Sequence, residues 1–181
     1  MVFAHDTEVA LTAAAALVNT AGDGHEALPD VAALGEFLRT YGWTGRHDRT
    51  EAELKAVREL RPRLRRIWYQ NEDGVVEIVN RLLRDSKALP QLVRHDHEPY
   101  HLHATSADAP LAVRMAVEAA MAFVDVVRAG ELGRLRTCEF PGCGSVVVDL
   151  SKNRSRRFCE AGCGNRAAVT AYRARKAAAQ S

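Results

Sequence analysis

Residues 138–166 of the chain read CEFPGCGSVVVDLSKNRSRRFCEAGCGNR. This stretch holds all four cysteines of the 181-residue protein, in two close pairs with C-x4-C and C-x3-C spacing and fifteen residues between the pairs. Two close pairs joined by a short spacer supply the four thiolates of a tetrahedral Zn²⁺ site. The spacing therefore predicts one structural Zn²⁺ with four ligands: Cys138, Cys143, Cys159 and Cys163.

Two other interpretations of the cysteines are disulfides and four unrelated core thiols. The first twenty residues hold Asp6 and Glu8 but no Lys or Arg, so they lack the basic start of a signal peptide. The most apolar segment, residues 111–127, is interrupted by three charged residues that a membrane span would exclude. We therefore expect a cytoplasmic protein with reduced thiols. Four thiolate ligands leave no open coordination position, which disfavours a catalytic zinc.

The segment around the cysteines also predicts a local fold. Pro141-Gly142, inside the first pair, suits a tight metal-binding turn. Residues 145–149 form a β-rich run, and residues 152–154 can form a turn. Cys159 and Cys163 are one helical turn apart, so both can face the same ion at the start of a helix. This order of turn, hairpin and helix resembles a treble-clef zinc finger.

The charge of the chain is unevenly distributed. The net charge is only +2, yet residues 131–181 carry ten Lys and Arg against four Asp and Glu, and the last 31 residues carry eight against one. A basic segment on a mildly acidic body favours a polyanionic partner. The alternative is a basic tail that is simply solvated, and charge alone does not separate the two.

The first 130 residues predict a mainly helical body with one β-hairpin. Apolar residues recur at helical spacing in most segments, whereas residues 89–105 alternate around Asp96-His97-Glu98-Pro99, which is expected to be a turn. The predicted helices cover residues 6–20, 31–41, 51–68, 74–85 and 109–129. The predicted class is α+β, with a helix-rich N-terminal domain (residues 1–134) containing one hairpin and a small treble-clef-like C-terminal zinc finger (residues 135–181).

Local signals refine these helices. Thr50 and Glu53 form a capping box, in which the Thr50 hydroxyl accepts a backbone amide and Glu53 reaches back. Pro62 predicts a kink in the helix that follows. Ser106 or Asp108 is expected to cap the long helix over residues 109–129. Four charged residues of this helix lie on one narrow stripe, which predicts that the rest of it is buried: Arg114, Glu118, Asp125 and Arg128.

Several strings resemble those of CGNR zinc finger proteins. In the finger they are Asp149-Leu150-Ser151, Arg156-Arg157-Phe158-Cys159, Cys163-Gly164-Asn165-Arg166 and Tyr172-Arg173-Ala174-Arg175. In the body, Leu17–Thr20, Ala56–Arg61 and Leu102-His103 are similar to the ABATE domain. In bacteria that domain precedes the finger in proteins described as stress-induced transcription regulators. The resemblance covers essentially the whole chain and implies that the finger binds DNA.

Basic and amide side chains near the last two cysteines are the candidate contacts to DNA. Phosphate contacts are expected to dominate, with Asn165 and Arg166 as candidates for contacts to bases. These two residues have an alternative role, which is to hold the metal loop by bonding its carbonyls or thiolates. The candidates are Arg154, Arg156, Arg157, Asn165, Arg166, Arg173, Arg175 and Lys176. One finger gives little specificity, so a homodimer is expected.

The sequence also allows two other functions, a metal-dependent enzyme and a finger that binds protein or RNA. Four histidines on the predicted hairpin, in same-face pairs, could form a metal site of an enzyme: His95, His97, His101 and His103. The finger could instead bind protein or RNA. No nucleotide-binding loop and no serine-hydrolase motif is present. The body is expected to sense a small-molecule effector or to mediate dimerisation, and the sequence names no ligand.

Overall fold

The computed structural model describes residues 2–22, 24–94 and 100–179. The helices are α1 (His5–Asn19), α2 (Val31–Thr40), α3 (Glu51–Arg65), α4 (Glu72–Asp85), α5 (Leu111–Arg128) and α6 (Cys163–Ala178). Three antiparallel strand pairs accompany them: β1 (Ala21–Gly22) with β2 (His25–Glu26), β3 (Gln91–Val93) with β4 (His101–His103), and β5 (Leu135–Thr137) with β6 (Val146–Val148). The predicted helix-rich α+β class is confirmed.

Helix α5 is the centre of the core and packs against α1, α3 and α4. Its Phe123 is fully buried and meets the Trp68 ring edge to face, with 5.3 Å between centroids. Trp68 lies in a 3₁₀ turn, Arg66–Tyr69, that follows α3. None of the helices in the described part of the chain has the length and apolar character needed to cross a bilayer.

The start of α3 confirms one half of the predicted capping box. The Thr50 hydroxyl accepts the Glu53 amide at 3.2 Å. The Glu53 carboxylate reaches further back than predicted, because it accepts the amides of Asp48 and Arg49 at 3.0 Å each. Glu53 therefore fixes the loop before the helix as well as its first turn.

Helix α3 runs through Pro62 and ends at Arg65. A proline has no amide to give to the carbonyl four residues earlier, which here is that of Arg58. The Arg61 side chain donates Nε to this carbonyl at 3.3 Å and so replaces part of the missing bond. The kink at Pro62 stays a prediction.

The start of α5 differs from the prediction in its cap. The N-cap residue is Pro110, without a side-chain hydrogen bond, and the Ser106 hydroxyl instead accepts the Asp108 amide at 3.2 Å in the preceding turn. Neither Ser106 nor Asp108 caps the helix. Pro110 suits this position because it has no amide that needs a partner.

The predicted charged stripe of α5 is wrong at Arg114, which is only 5% exposed. Its guanidinium donates to the carbonyls of Thr44, Arg46 and Ala109. A buried arginine must satisfy its donors, and here a loop about seventy residues away in sequence supplies the acceptors. Arg114 therefore holds the loop before α3 against α5.

The predicted hairpin of residues 89–105 is present as β3 and β4, with Leu92 paired to Leu102. Its predicted turn, which includes His97, lies outside the described residues. The pair β1–β2 is an additional short hairpin that the sequence analysis did not predict.

Strand β6 joins the C-terminal segment to the body. Val146 and Val148 pack in the main core, whereas Val147 faces the cysteines. The Asn19 side-chain amide bonds both backbone groups of Val146 at 2.8 Å each, as a neighbouring strand would. Trp68 Nε1 adds a bond to the Val147 carbonyl at 3.0 Å.

Candidate metal centre

The first cysteine pair is positioned by a tight turn after β5. The Cys143 amide donates to the Phe140 carbonyl at 3.0 Å, and Gly142 has a φ of +76°. Proline followed by a glycine with positive φ is the pattern of a type II turn, so the predicted role of Pro141-Gly142 is confirmed. The strands β5 and β6 lie on either side of this pair, so the turn is the loop of the hairpin. The predicted order, with the hairpin after the turn, is wrong.

The second pair stands at the start of α6. Cys163 is the first residue of the helix, after Gly162 in the left-handed conformation. Cys159 lies in the loop before the helix and not on a helical turn with Cys163, and its amide donates to Cys138 Sγ at 3.4 Å. The predicted turn between the pairs is also present, because the Arg154 amide donates to the Ser151 carbonyl at 3.3 Å. The two cysteine pairs thus converge from a hairpin and a helix.

The four cysteine sulfurs have the separations that a tetrahedral zinc site requires. All lie within 4.8 Å of one another, and the cysteines form no disulfides. Sulfurs at about 2.3 Å from a Zn²⁺ in tetrahedral geometry are about 3.8 Å apart. The Cys143–Cys159 separation is 3.8 Å and the Cys159–Cys163 separation is 3.4 Å. The residues therefore fit Zn²⁺, and this donor set would supply four thiolates and close its coordination sphere.

The electrostatic surroundings of the sulfurs are not uniform. Burial raises the pKa of the Cys163 thiol to about 12. Burial also opposes ionisation of Cys143, but hydrogen bonds with Ser145 outweigh it and lower the pKa of that thiol to about 7. Because zinc binds thiolates, the cation must displace the proton from a buried thiol such as Cys163.

Arg166 supports the cysteine cluster directly. Its Nη2 donates to Cys163 Sγ at 2.8 Å, and its guanidinium lies 4.7 Å from the centre of the Phe140 ring. This contact agrees with the alternative role predicted for Arg166, in which its side chain bonds a cysteine sulfur of the metal loop. Asn165, its neighbour, is exposed in the first turn of α6.

Asp149 organises the loop between the two cysteine pairs, a role that the sequence analysis did not assign. The side chain is 0% exposed and accepts the amides of Ser151 at 3.0 Å and Arg156 at 2.8 Å. Burial alone would raise its pKa, but these bonds, with that of the Ser151 hydroxyl, hold the pKa of Asp149 below its ordinary value. The Asp149 carboxylate thus holds this loop in place through the amides of Ser151 and Arg156. The one sequence signal for this role is an Asp two residues before a Ser, a spacing at which the carboxylate can accept a backbone amide.

Three of the candidate arginines pair with acidic side chains. The ion pairs are Arg154–Glu131 at 2.8 Å, Arg156–Glu160 at 2.8 Å and Arg157–Glu139 at 2.6 Å. At least one partner of each pair is well exposed, so these contacts contribute little to stability. Their side chains can therefore exchange these partners for others at small cost.

The remaining candidates lie on the projecting part of α6. Every residue from 168 to 179 is exposed, including Val169 at 48% and Tyr172 at 60%. Arg173, Arg175 and Lys176 make no ion pair within the part of the chain that the structure describes. The structure thus brings Arg166 to the cysteines, whereas these three cations lie on the exposed part of α6.

The histidine alternative receives no support from the described residues. His95 and His97 lie outside them, and His103 lines a cavity on the body. Within the described ranges, the four cysteines are the group of metal-ligating side chains whose ligand atoms converge. The histidine metal site stays an untested alternative.

Comparison with known protein families gives two matches. Residues 11–130 match the ABATE family model, which is described as "Putative stress-induced transcription regulator". Residues 134–176 match the model of the CGNR zinc finger. No curated protein matches the chain. Together with the converging sulfurs, the second match makes the cysteine cluster one structural zinc site.

Proposed function

We propose, from the premise that the chain belongs to the ABATE family and ends in a CGNR zinc finger, that it regulates transcription by binding DNA through α6. Both families are of regulator or zinc-finger type. The observation that carries the proposal is the cationic C-terminal part of α6: the helix begins at Cys163, and its residues from 168 onwards are exposed.

The shape of α6 suits a nucleic-acid groove. Its sixteen residues give a length of about 24 Å, and an α-helix with side chains fits the major groove of B-DNA, which is about 12 Å wide. Zinc fixes the first turn through Cys163. The exposed remainder is short for a helix without packing partners, so contact with DNA would stabilise it.

The candidate contacts then divide into two groups. Arg173, Arg175 and Lys176 are exposed cations without acidic partners in the described ranges, and we assign them contacts to phosphates. Asn165 lies near the start of the helix, where it can reach a base edge. Arg166 retains the sulfur contact. Three further arginines can leave their exposed acidic partners and add phosphate contacts: Arg154, Arg156 and Arg157.

The proposed division of roles follows the charge of the chain. Residues 135–181 bind DNA as the zinc finger, and residues 1–134 mediate homodimerisation or sense a small-molecule effector. A dimer would place two α6 helices on one duplex and so supply the specificity that one finger lacks.

A protein- or RNA-binding finger is the second candidate function. Val169 and Tyr172 favour it, because both are exposed and lie three residues apart on one face of α6. A protein partner would bury this apolar pair. Binding with a weak dependence on salt would support a protein partner, and preference for RNA over duplex DNA would support an RNA-binding module.

The test is a titration of the zinc-loaded full chain with duplex DNA at several salt concentrations. The variant Arg173→Ala/Arg175→Ala/Lys176→Ala should bind more weakly and lower the magnitude of the log K against log salt slope by about 2 to 3. The control Lys55→Ala/Arg63→Ala/Arg81→Ala removes the same charge from exposed positions on α3 and α4. Equal effects of the two variants, or no binding at low salt, would contradict the proposal.

A further inference from the structure

A cavity of about 770 Å³ lies on the body, and none of the four cysteines lines it. One wall is the inner face of the β3–β4 hairpin, with Gln91, Val93 and His103. The segments around Gly45 and Ala107 form its floor. Pockets that bind small organic molecules have volumes of roughly 300–1,000 Å³.

The floor of this cavity is held rigidly. Gly45 has a φ of +79°, and a Cβ there would come within 2.8 Å of the Ala107 carbonyl oxygen. Next to it, the Arg46 amide donates to the same carbonyl at 2.9 Å. Arg114 clamps both neighbours of Gly45 by their carbonyls. Two loops are thus locked at a close approach that only glycine permits at this position.

The lining of the cavity favours an anion. It contains Lys87 and His103 together with four hydroxyl side chains, and none of the lining residues that the structure describes is Asp or Glu. The buried Arg114 guanidinium lies directly behind Gly45, since a Cβ on that glycine would be 3.0 Å from Nη1. Lys87 thus lines the cavity, and a second cation lies behind the backbone of Gly45.

The same lining also offers apolar surface. Leu89, Val93 and Val113 stand among the cavity residues together with several alanines. A ligand that satisfies both parts of the wall has an anionic head and an apolar body. We propose that this cavity binds a small organic carboxylate of that kind, with Lys87 and the hydroxyl groups holding the carboxylate.

The test uses ¹⁵N-labelled, zinc-loaded full chain and two matched probes, phenylacetate and its neutral isostere phenylacetamide. Phenylacetate should shift the backbone amides of Gly45, Leu89 and Ala107 and should bind about tenfold more tightly than the amide, because only it gains a charge-assisted bond. The variant Lys87→Met should abolish this preference. The control Lys55→Met, an exposed lysine of α3, should leave it unchanged.

Three results would overturn the inference. They are no shifts at the cavity amides up to the solubility limit of phenylacetate, equal affinity for the two probes, and a preference that persists in Lys87→Met. The spectrum of each variant reports whether it is folded. This inference rests on the effector-sensing role proposed for residues 1–134, and because the titration contains no DNA, its outcome is independent of whether α6 binds DNA.

Discussion

The side-chain amide of Asn19 connects α1 to the zinc-finger hairpin, and Asn19→Ala should measurably destabilise the protein. Asn19 donates to the Val146 carbonyl and accepts the Val146 amide, at 2.8 Å each. Val146 is buried, so the substitution leaves two backbone groups without partners. An unsatisfied buried group costs roughly 1–3 kcal/mol.

The size of the effect depends on whether water can replace the amide. A cavity of about 260 Å³ adjoins both Asn19 and Val146, so water can partly restore the bonds. We therefore use the low end of the range and expect a loss of about 2 kcal/mol in the free energy of unfolding. Asn19→Asp keeps an oxygen for the Val146 amide but places a carboxylate oxygen against the Val146 carbonyl, so a loss at least as large is expected above the pKa of the carboxyl group.

The assay is urea unfolding of the zinc-loaded chain, followed by the fluorescence of Trp68 and Trp43. Asn80→Ala, an exposed substitution in α4, is the matched control. A loss for Asn19→Ala within about 0.5 kcal/mol of the control would refute the role of Asn19 as a clamp.

Three further predictions concern the zinc site and the body. Cys159→Ser should lower bound zinc from one ion per chain to almost none, by metal analysis, while the unfolding transition of the helical body persists. Arg166→Ala removes the bond to Cys163 Sγ and should speed zinc transfer to a chromogenic chelator about tenfold or more, whereas Arg173→Ala should not. The hydrogen bond from Arg61 lowers the pKa of Glu26 to about 2, so its stabilising contribution is complete above about pH 4.5 and is lost as the pH falls towards 2. Glu26→Gln should remove that part of the acid dependence in unfolding measurements between these pH values, and an unchanged profile would contradict the assignment.

The elements of the fold follow from local sequence signals. Apolar periodicity located all five helices of the body, and Thr50 marked the start of α3 because capping depends on residues three apart. The cysteine spacing predicted the metal cluster for the same reason, since the two cysteines of each pair are only four or five positions apart. Each of these signals involves residues that are only a few positions apart in the sequence.

Contacts between distant segments could not be predicted in this way. The sequence predicted Arg114 as a surface residue, because a helical pattern shows only which positions share a face. It does not show that the distant loop at Thr44 covers this side chain and supplies carbonyl acceptors for it. The clamp by Asn19 likewise depends on a strand 127 residues away. The predicted cap at Ser106 is wrong because its hydroxyl accepts the Asp108 amide in the turn before α5.

The proposed role of α6 as the DNA-binding element can be tested by hydrogen–deuterium exchange of the zinc-loaded chain with and without duplex DNA. Residues 168–179 are all exposed, so their amides should exchange quickly in the free protein. We expect strong protection of this segment when DNA is added, with little change in α3 and α4. DNA binding that leaves residues 168–179 unprotected would contradict the claim.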